Sequence, residues 1–381
     1  MDPTTIGVVA VAIVLGIDLL LIVGLVVLKA VHRHRRTRYD ERRARYVVAL
    51  SRHLASGDKD QPFDLETVED EAFLDAVIDL RNVVSGVETE TLARAIDMVG
   101  MARHQEVRLR RRRPIGHRLR AAVALAEMGE ESTAPLLIEY LQDPEPEIRI
   151  QCARGLGRIK HSAAIDAILE RFSVEEPWVR ARFADTLVGF GAKATWPLIA
   201  YITVNLGHDE NVGVIEAIRV LGTIGDPEAG PTLASIIRRT TDPEVALAAI
   251  EALGMVGGPL SIRPLKYTLR SPDWRLRAKS ATSLGQIGDP SVNLALARSL
   301  EDANWWVRRN SAASLAGLPG GTALLFEAIG LEDAFARDAA VEALAGTGAL
   351  TAARDRIEAG VGSDDDHRLI EYVSAQVGTV R

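Results

Sequence analysis

A chain of 381 residues with one cysteine, a formal charge of −7 and 47% hydrophobic but only 5% aromatic residues has apolar mass enough for a core and no disulfide framework within one chain. Its charge lies in blocks, and once the basic blocks are set aside the remainder is acidic, which argues against the basic surface that nucleic-acid binding requires. There is no phosphate-cradling loop, no His pair at metal-ligand spacing and no nucleophile beside a base, so no catalytic residue, cofactor or metal site is expected.

After a five-residue leader (residues 1–5), Ile6 to Leu28 form a run of 23 residues that is apolar except for Asp18. About 20 apolar residues cross a bilayer as helix. Positive charge is absent before this run and follows it at Lys29, Arg33, Arg35, Arg36, Arg38, Arg42, Arg43 and Arg45. That asymmetry predicts an uncleaved single-pass anchor in a cell inner membrane, with the N-terminus outside and everything beyond residue 28 in the cytoplasm. An acid near the bilayer centre costs at least about 2.5–3.5 kcal/mol. Asp18 therefore predicts a polar contact to another membrane helix, helped by the small pair Ala12 and Gly16; a single tolerated acid is the alternative. The basic juxtamembrane segment, residues 29–56, places Arg33, Arg35, Arg36, Arg38, Arg42 and Arg43 at anionic lipid headgroups.

Residues 57–116 read as a helical cap or adaptor. From Asp58 to Glu90 there are eleven Asp or Glu against Lys59 and Arg81. Phe73, Leu74, Val77, Ile78 and Leu80 predict an amphipathic helix with Asp70, Glu71 and Asp75 on its wet face. A second helix is expected from Glu88 to His104, with Leu92, Ala95, Ile96 and Val99 inward. The basic cluster Arg103, Arg108, Arg110 to Arg113, Arg118 and Arg120 is expected to pair with these acidic helices; a second lipid patch is the alternative.

Residues 117–348 repeat. Val307, Ser311, Leu315 and Leu318 lie on one helical stripe. The same stripe recurs at Ile148, Cys152, Leu156 and Ile159, at Val179 to Phe190, at Val245 to Val256 and at Leu276 to Ile287, with weaker copies at His117 to Met128, Gly213 to Ile224 and Ala336 to Thr347. The third stripe position is Leu125, Leu156, Leu187, Leu221, Leu253, Leu284, Leu315 and Leu344, in steps of 29 to 34 residues. So steady a period predicts an all-α solenoid, a right-handed α-α superhelix of about eight two-helix repeats behind one transmembrane helix. Pro135, Pro197, Pro231 and Pro264 are expected to start first helices. Gly157, Gly225, Gly257 and Gly288 are expected to close second helices, and Asp226 and Asp289 to cap the next. Cys152, on the stripe, reads as a small buried hydrophobe.

One residue past the first stripe position stands an arginine, at Arg118, Arg149, Arg180, Arg277, Arg308 and Arg337, preceded at several places by an acid: Asp143, Glu176, Asp273, Asp302 and Asp333. These predict a ladder between adjacent repeats. Val214 and Ala246 interrupt it, which predicts a bend or weaker joint there. Trp178 and Trp274 are expected to pack between repeats, with Trp196 at a first-helix start. Neighbours on a helix diverge, so one of Trp305 and Trp306 is expected to be accessible and to anchor a partner. The partner-binding candidates are Trp305, Trp306, Arg308, Arg277, Trp274 and Arg180. Residues 349–381 read as a C-terminal cap, with Asp364 to Asp366 before an amphipathic helix.

The runs Leu276-Arg277 with Leu284-Gly285-Gln286-Ile287-Gly288-Asp289-Pro290, and Ile148-Arg149 with Leu156-Gly157-Arg158-Ile159, resemble the short HEAT repeat in the variety also seen in phycobilisome-lyase-type proteins. The resemblance spans residues 117–348. It implies a helical solenoid and an interaction scaffold, and no chromophore-handling motif can be matched. The expected function is a membrane-anchored cytoplasmic scaffold for protein partners, an integral membrane enzyme among the candidate clients, with no small-molecule substrate. The alternatives are a lyase-type enzyme, or a tether to anionic lipid or nucleic acid through the basic clusters. The Ala-, Arg- and Gly-rich composition suits a bacterium of high GC content.

Overall fold

The structure, a computed structural model, describes residues 3–56, 71–81, 83–84, 91–92, 100–110, 114–129, 131–207 and 211–379. Every described element is helical, and the chain divides into two compact units, Met1–Ile159 and Lys160–Arg381.

In the first unit the apolar run and the basic segment form one helix, α1 (Pro3–Ser56, 54 residues), about 80 Å long at 1.5 Å per residue. Its apolar residues from Leu20 to Leu28 are exposed, Leu20 by 75% and Leu28 by 68%. The side chains of Ala12, Gly16 and Asp18 lie outside the described residues. Helix α2 (Glu71–Arg81) packs on α1, with the Tyr46 and Phe73 rings 5.4 Å apart and edge to face. Tyr39 donates its O–H to Asp75, and Arg43 Nε donates to Asp79 Oδ2 at 2.8 Å. Asp75 is therefore not on the wet face of α2: the face expected to meet water meets the basic stretch of α1, 36 residues away in sequence. Asp70 lies outside the described residues.

The helix expected from Glu88 to His104 is interrupted. Gly100 takes the left-handed conformation, φ +64°, and α3 (Met101–Arg110) starts after it. Leu92 is buried, while Ala95, Ile96 and Val99 lie outside the described residues. Arg108 and Arg120 both pair with Glu71, the internal pairing expected of the second basic cluster. Helices α4 (Ile115–Met128) and α6 (Pro146–Ile159) pack together, with the short α5 (Ala134–Glu139) against α6. Arg118 reaches Asp143, and Arg154 and Arg158 share Glu127.

The second unit is a series of helix pairs. First helices α7 (Ala163–Leu169), α9 (Thr195–Asn205), α11 (Gly230–Arg239), α13 (Pro259–Thr268), α15 (Asn293–Arg298) and α17 (Gly321–Ile329) alternate with second helices α8 (Pro177–Phe190), α10 (Val212–Ile224), α12 (Pro243–Val256), α14 (Trp274–Ile287), α16 (Trp305–Gly317) and α18 (Ala334–Gly346). Two further helices, α19 (Ala349–Glu358) and α20 (Asp364–Thr379), close the unit. The stripe leucines Leu187, Leu221, Leu253, Leu284, Leu315 and Leu344 are fully buried. Their spacing, one per repeat, is what stacks each second helix on the next, α8 on α10 through α16 on α18. A fully buried leucine contributes about 1.5–3 kcal/mol relative to an exposed one.

Small residues set how closely the second helices approach. A Cβ on Gly254 would lie 2.7 Å from Ser283 Cβ, and one on Gly222 2.7 Å from Ala252 Cα, closer than van der Waals contact permits. At this closeness Ser283 Oγ donates to the Ile250 carbonyl at 3.1 Å and Ser314 Oγ to the Ala281 carbonyl at 3.0 Å, each one repeat back.

Two expected boundaries move. Gly225 and Gly288 do end their helices in the left-handed conformation, and Gly257, at φ +69°, caps α12. Gly157, by contrast, lies inside α6, which runs on to Ile159; the turn is made at Lys160, φ +58°. Pro264 does not start a first helix either. Pro259 does, and Pro264 stands inside α13. Asp226 and Asp289 cap the following turns as expected, accepting from Glu228 N and Ser291 N. Among the residues whose side chains are described, which begin at Leu20, the stretch long and apolar enough to cross a membrane is Pro177–Asn205. It comprises α8, the turn at Gly191 and α9, all within the repeats.

Candidate functional site

The starts of α14, α16 and α18 share one capping device. Asp273 accepts from Arg275 N at 2.8 Å, Asn304 from Trp306 N at 2.9 Å, and Asp333 from Phe335 N at 2.8 Å and Ala336 N at 3.1 Å. A cap residue satisfies amide donors that the first turn leaves free. It also sets the register, so that the one or two residues after it stand at the rim of the helix end. In these three consecutive repeats those residues are aromatic: Trp274 (40% exposed), Trp305 and Trp306 (46% each) and Phe335 (64%).

Trp305 and Trp306 do not diverge as expected. Both are half exposed, with ring centroids 4.6 Å apart at 72°, because at the first two positions of a helix no preceding turn confines the side chains and the rings swing together edge to face. Arg309 lies over both, 5.4 Å from one centroid and 5.9 Å from the other. Arg308 lies 4.9 Å from the Phe335 ring. The outcome is an aromatic rim backed by guanidinium groups. Trp274 is exposed on the rim where packing was expected. Trp178 is 46% exposed at the start of α8, donating to Glu176 at 2.7 Å, and Trp196 is 63% exposed on α9.

Beneath the rim runs the arginine ladder. Arg277 grips Asp302 in the next repeat through two bonds, Nε to Oδ2 at 2.7 Å and Nη2 to Oδ1 at 2.8 Å, and its Nη1 donates to the Ser271 carbonyl at 2.8 Å. Arg308 donates to the carbonyls of Asp302 (2.7 Å) and Ala303 (3.1 Å), Arg180 to that of Phe172 (2.7 Å) and Arg337 to that of Leu331 (3.0 Å). Burial would raise the Asp302 carboxyl, but the bonds from Arg277 and from Asn304 N hold it below the ordinary carboxylate value. Asp273, Asp333 and Glu176, expected as ladder acids, serve instead as caps or hold the Trp178 indole.

Of the six candidate residues, Trp274, Trp305 and Trp306 fall on this rim and Arg277 supports it from below, whereas Arg308 and Arg180, each 7% exposed, are buried in the ladder and not available to a partner as expected. Phe335 and Arg309 were missed. The signal for Phe335 was present: a cap residue followed within two positions by an aromatic, as in Asp273-Trp274, Asn304-Trp305 and Asp333-Ala334-Phe335. A groove of about 470 Å³ runs from Arg309 between α16 and α18, lined largely by alanine and glycine and crossed by the Arg309 to Glu342 pair at 3.5 Å.

Elsewhere, Arg33, Arg35, Arg36, Arg38 and Arg42 are exposed on α1, and Arg43 is engaged with Asp79. Among the described residues there is no cluster of three or more His, Cys, Asp or Glu able to hold a metal ion. Burial pushes the Cys152 thiol well up, which disfavours the thiolate a nucleophile needs.

Fold and rim together define an α-helical repeat protein with a laterally exposed aromatic edge. The family model for HEAT repeats matches residues 106–188, 204–269 and 262–345, more than half of the chain. The chain belongs to the HEAT-repeat family. No curated protein matches it. Solved structures similar to it include an engineered protein (18% identical, 86% of this chain and 99% of that one, TM-score 0.35). Two others are human deoxyhypusine hydroxylase in complex with glycerol (19%, 80% and 96%, TM-score 0.29), and the complex of CpcE and CpcF of phycocyanin lyase from Nostoc (21%, 64% and 94%, TM-score 0.33). At these scores the likenesses carry no argument.

Proposed function

We propose that this chain is a single-pass membrane-anchored scaffold, not an enzyme, whose repeats dock a protein partner along the aromatic rim. The observation that carries the docking surface is the row Trp274, Trp305, Trp306 and Phe335 on three consecutive helix starts, each 40 to 64% solvent-exposed. Tryptophan backed by arginine is the composition of interface anchors, and exposed apolar rows on repeat proteins mark where extended partners lie. Anchoring is supported by the apolar run Ile6 to Leu28, by the exposure of its last nine residues on a continuous helix, and by the exposed arginines that follow. In this reading the N-terminus is outside a bacterial inner membrane, the repeats wind as a right-handed superhelix in the cytoplasm, and Asp18 meets a helix of an integral membrane client.

Two experiments test it. Full-length protein is expected to stay with the membrane through an alkaline carbonate wash; release would remove the anchor. A photo-crosslinking residue at position 305 is expected to trap one protein of defined mass, and the pair Trp274→Ala, Trp306→Ala to abolish that product. Equal trapping from position 298, exposed on first helix α15, would leave the rim without a role.

A further inference from the structure

A second groove, of about 650 Å³, lies between first helices α11 and α13. Its wall on α13 is Leu260, Arg263, Pro264 and Tyr267, and on α11 it includes Pro231, Ala234 and Arg238. The α13 set follows the i, i+3, i+4, i+7 spacing of one helical face and the α11 set i, i+3, i+7. The core is served by other residues of the same helices: Leu233 and Ile236 on α11 and Leu265 on α13 are buried. Helix α13 thus turns a second apolar stripe to solvent, which a helix packed on one side does not need, while α11 adds the exposed Pro231 and Arg238 around a buried Ala234. Leu260 is 75% and Tyr267 72% exposed.

Charge at the groove is uncompensated. Arg238 and Arg263 form no ion pair among the described residues, as is also true of the exposed Arg239, Arg270 and Arg298, but these two stand together at one groove. The C-terminal end of a helix accounts for a cation at Arg238, in the last turn of α11. It does not account for Arg263, in the middle of α13. Pro264 adds a rigid apolar surface to the wall between Leu260 and Tyr267.

We propose that this groove binds an acidic linear segment of a partner protein, with one or two large apolar side chains flanked by Asp or Glu. The apolar side chains pack on Leu260, Pro264 and Tyr267, and the carboxylates meet Arg238 and Arg263. The volume lies within the roughly 300–1,000 Å³ of ligand sites. The inference rests on the scaffold reading only in taking the partner to be a protein; it needs neither the aromatic rim nor the membrane anchor.

The test is selection of a phage-displayed random dodecapeptide library on full-length protein in nonionic detergent, followed by fluorescence anisotropy of the enriched peptides. Enriched sequences are expected to set Asp or Glu beside Leu, Ile, Phe or Trp. Their affinity is expected to fall by about tenfold or more in Arg238→Glu, Arg263→Glu, to fall less in the double alanine variant, and to be unchanged in Trp305→Ala. Both arginines are exposed and unpaired, so the variants should melt as wild type does. Enrichment without acidic residues, or undiminished binding by the charge-reversed variant, would overturn the proposal. Loss of binding in Trp305→Ala would move the peptide to the rim. Retention of phosphatidylglycerol vesicles by wild type alone, with no acidic peptide enriched, would assign the groove to lipid instead.

Discussion

Helices α14 to α18 and helices α10 to α12 follow the same repeat plan but join their neighbours by different chemistry. In the later stretch the joint is ionic: Arg277 of one repeat clamps Asp302 of the next. In the earlier one the arginine position is taken by Val214 and Ala246, both buried, and the joint is an amide: Asn211 Nδ2 donates to Asp242 Oδ2 at 2.8 Å. The acceptor is the same in kind. Asp302 and Asp242 each sit just before a second helix, accepting from amides of the following turn (Asn304 N and Glu244 N, both at 2.8 Å) while bridging back to the previous repeat. What varies is the donor, so a missing arginine does not leave the joint empty. The weak joint expected around residues 200–250 is bridged by Asn211.

Breaking the shared core should have the largest effect and the same one in both stretches. Leu221→Ala and Leu315→Ala remove fully buried side chains and are each expected to cost about 2–5 kcal/mol in urea unfolding of the full chain in detergent. A difference between them beyond about 2 kcal/mol would mean that packing, not joint chemistry, separates the two stretches.

The joints themselves come next. Arg277→Ala leaves a half-buried Asp302 without its partner and is expected to cost about 1–3 kcal/mol. Asn211→Ala removes one neutral donor and leaves the Asp242 cap bonds in place, so about 0.5–1.5 kcal/mol is expected. Hydrogen exchange of α10 to α12 against α14 to α16 localises each loss. Equal effects of the two substitutions would erase the distinction between ionic and amide joints.

Acid should act on both. The Asp302 carboxyl is held low by Arg277 against the opposing effect of burial, and that of Asp242 chiefly by Asn211. Both native values lie below the unfolded value of about 3.9. The unfolded chain therefore takes up protons first, and the stabilisation, fully present above about pH 4, is lost as pH falls through the native values. Unfolding midpoints are expected to be flat from about pH 5 to 8 and to drop below about pH 4, less steeply in Asp302→Asn. Rising stability in acid would contradict the bridges.

The smallest effect concerns backbone opening. Limited proteolysis is expected to find no preferred site in the turn joining α11 to α12; a dominant cut there would restore the weak joint.

The eight stripes, the capping aspartates Asp226 and Asp289 and the arginine positions were legible in the sequence because they are set by spacing within one helix or its end. Where the reading failed, the deciding contact was remote or the residue type ambiguous. Asp75 looks solvent-facing until α1 is laid against it. Gly157 and Pro264 are residues of helix ends that here stand inside helices, tolerated where packing outweighs local preference. Trp305 and Trp306 obey no divergence rule at a helix start, where their side chains meet no preceding turn.

By itself, the sequence determined the all-helical repeat, its length, the apolar first helix with the basic residues behind it, and which positions become core, since a 3.6-residue apolar period leaves one face to bury. Only the tertiary structure decided which acids cap and which bridge, that four aromatics share one rim, and that α13 exposes a second stripe beside two unpaired arginines. Those outcomes depend on which helix ends come side by side, and that is set by how closely glycine and serine let neighbouring helices approach across about 30 residues of chain.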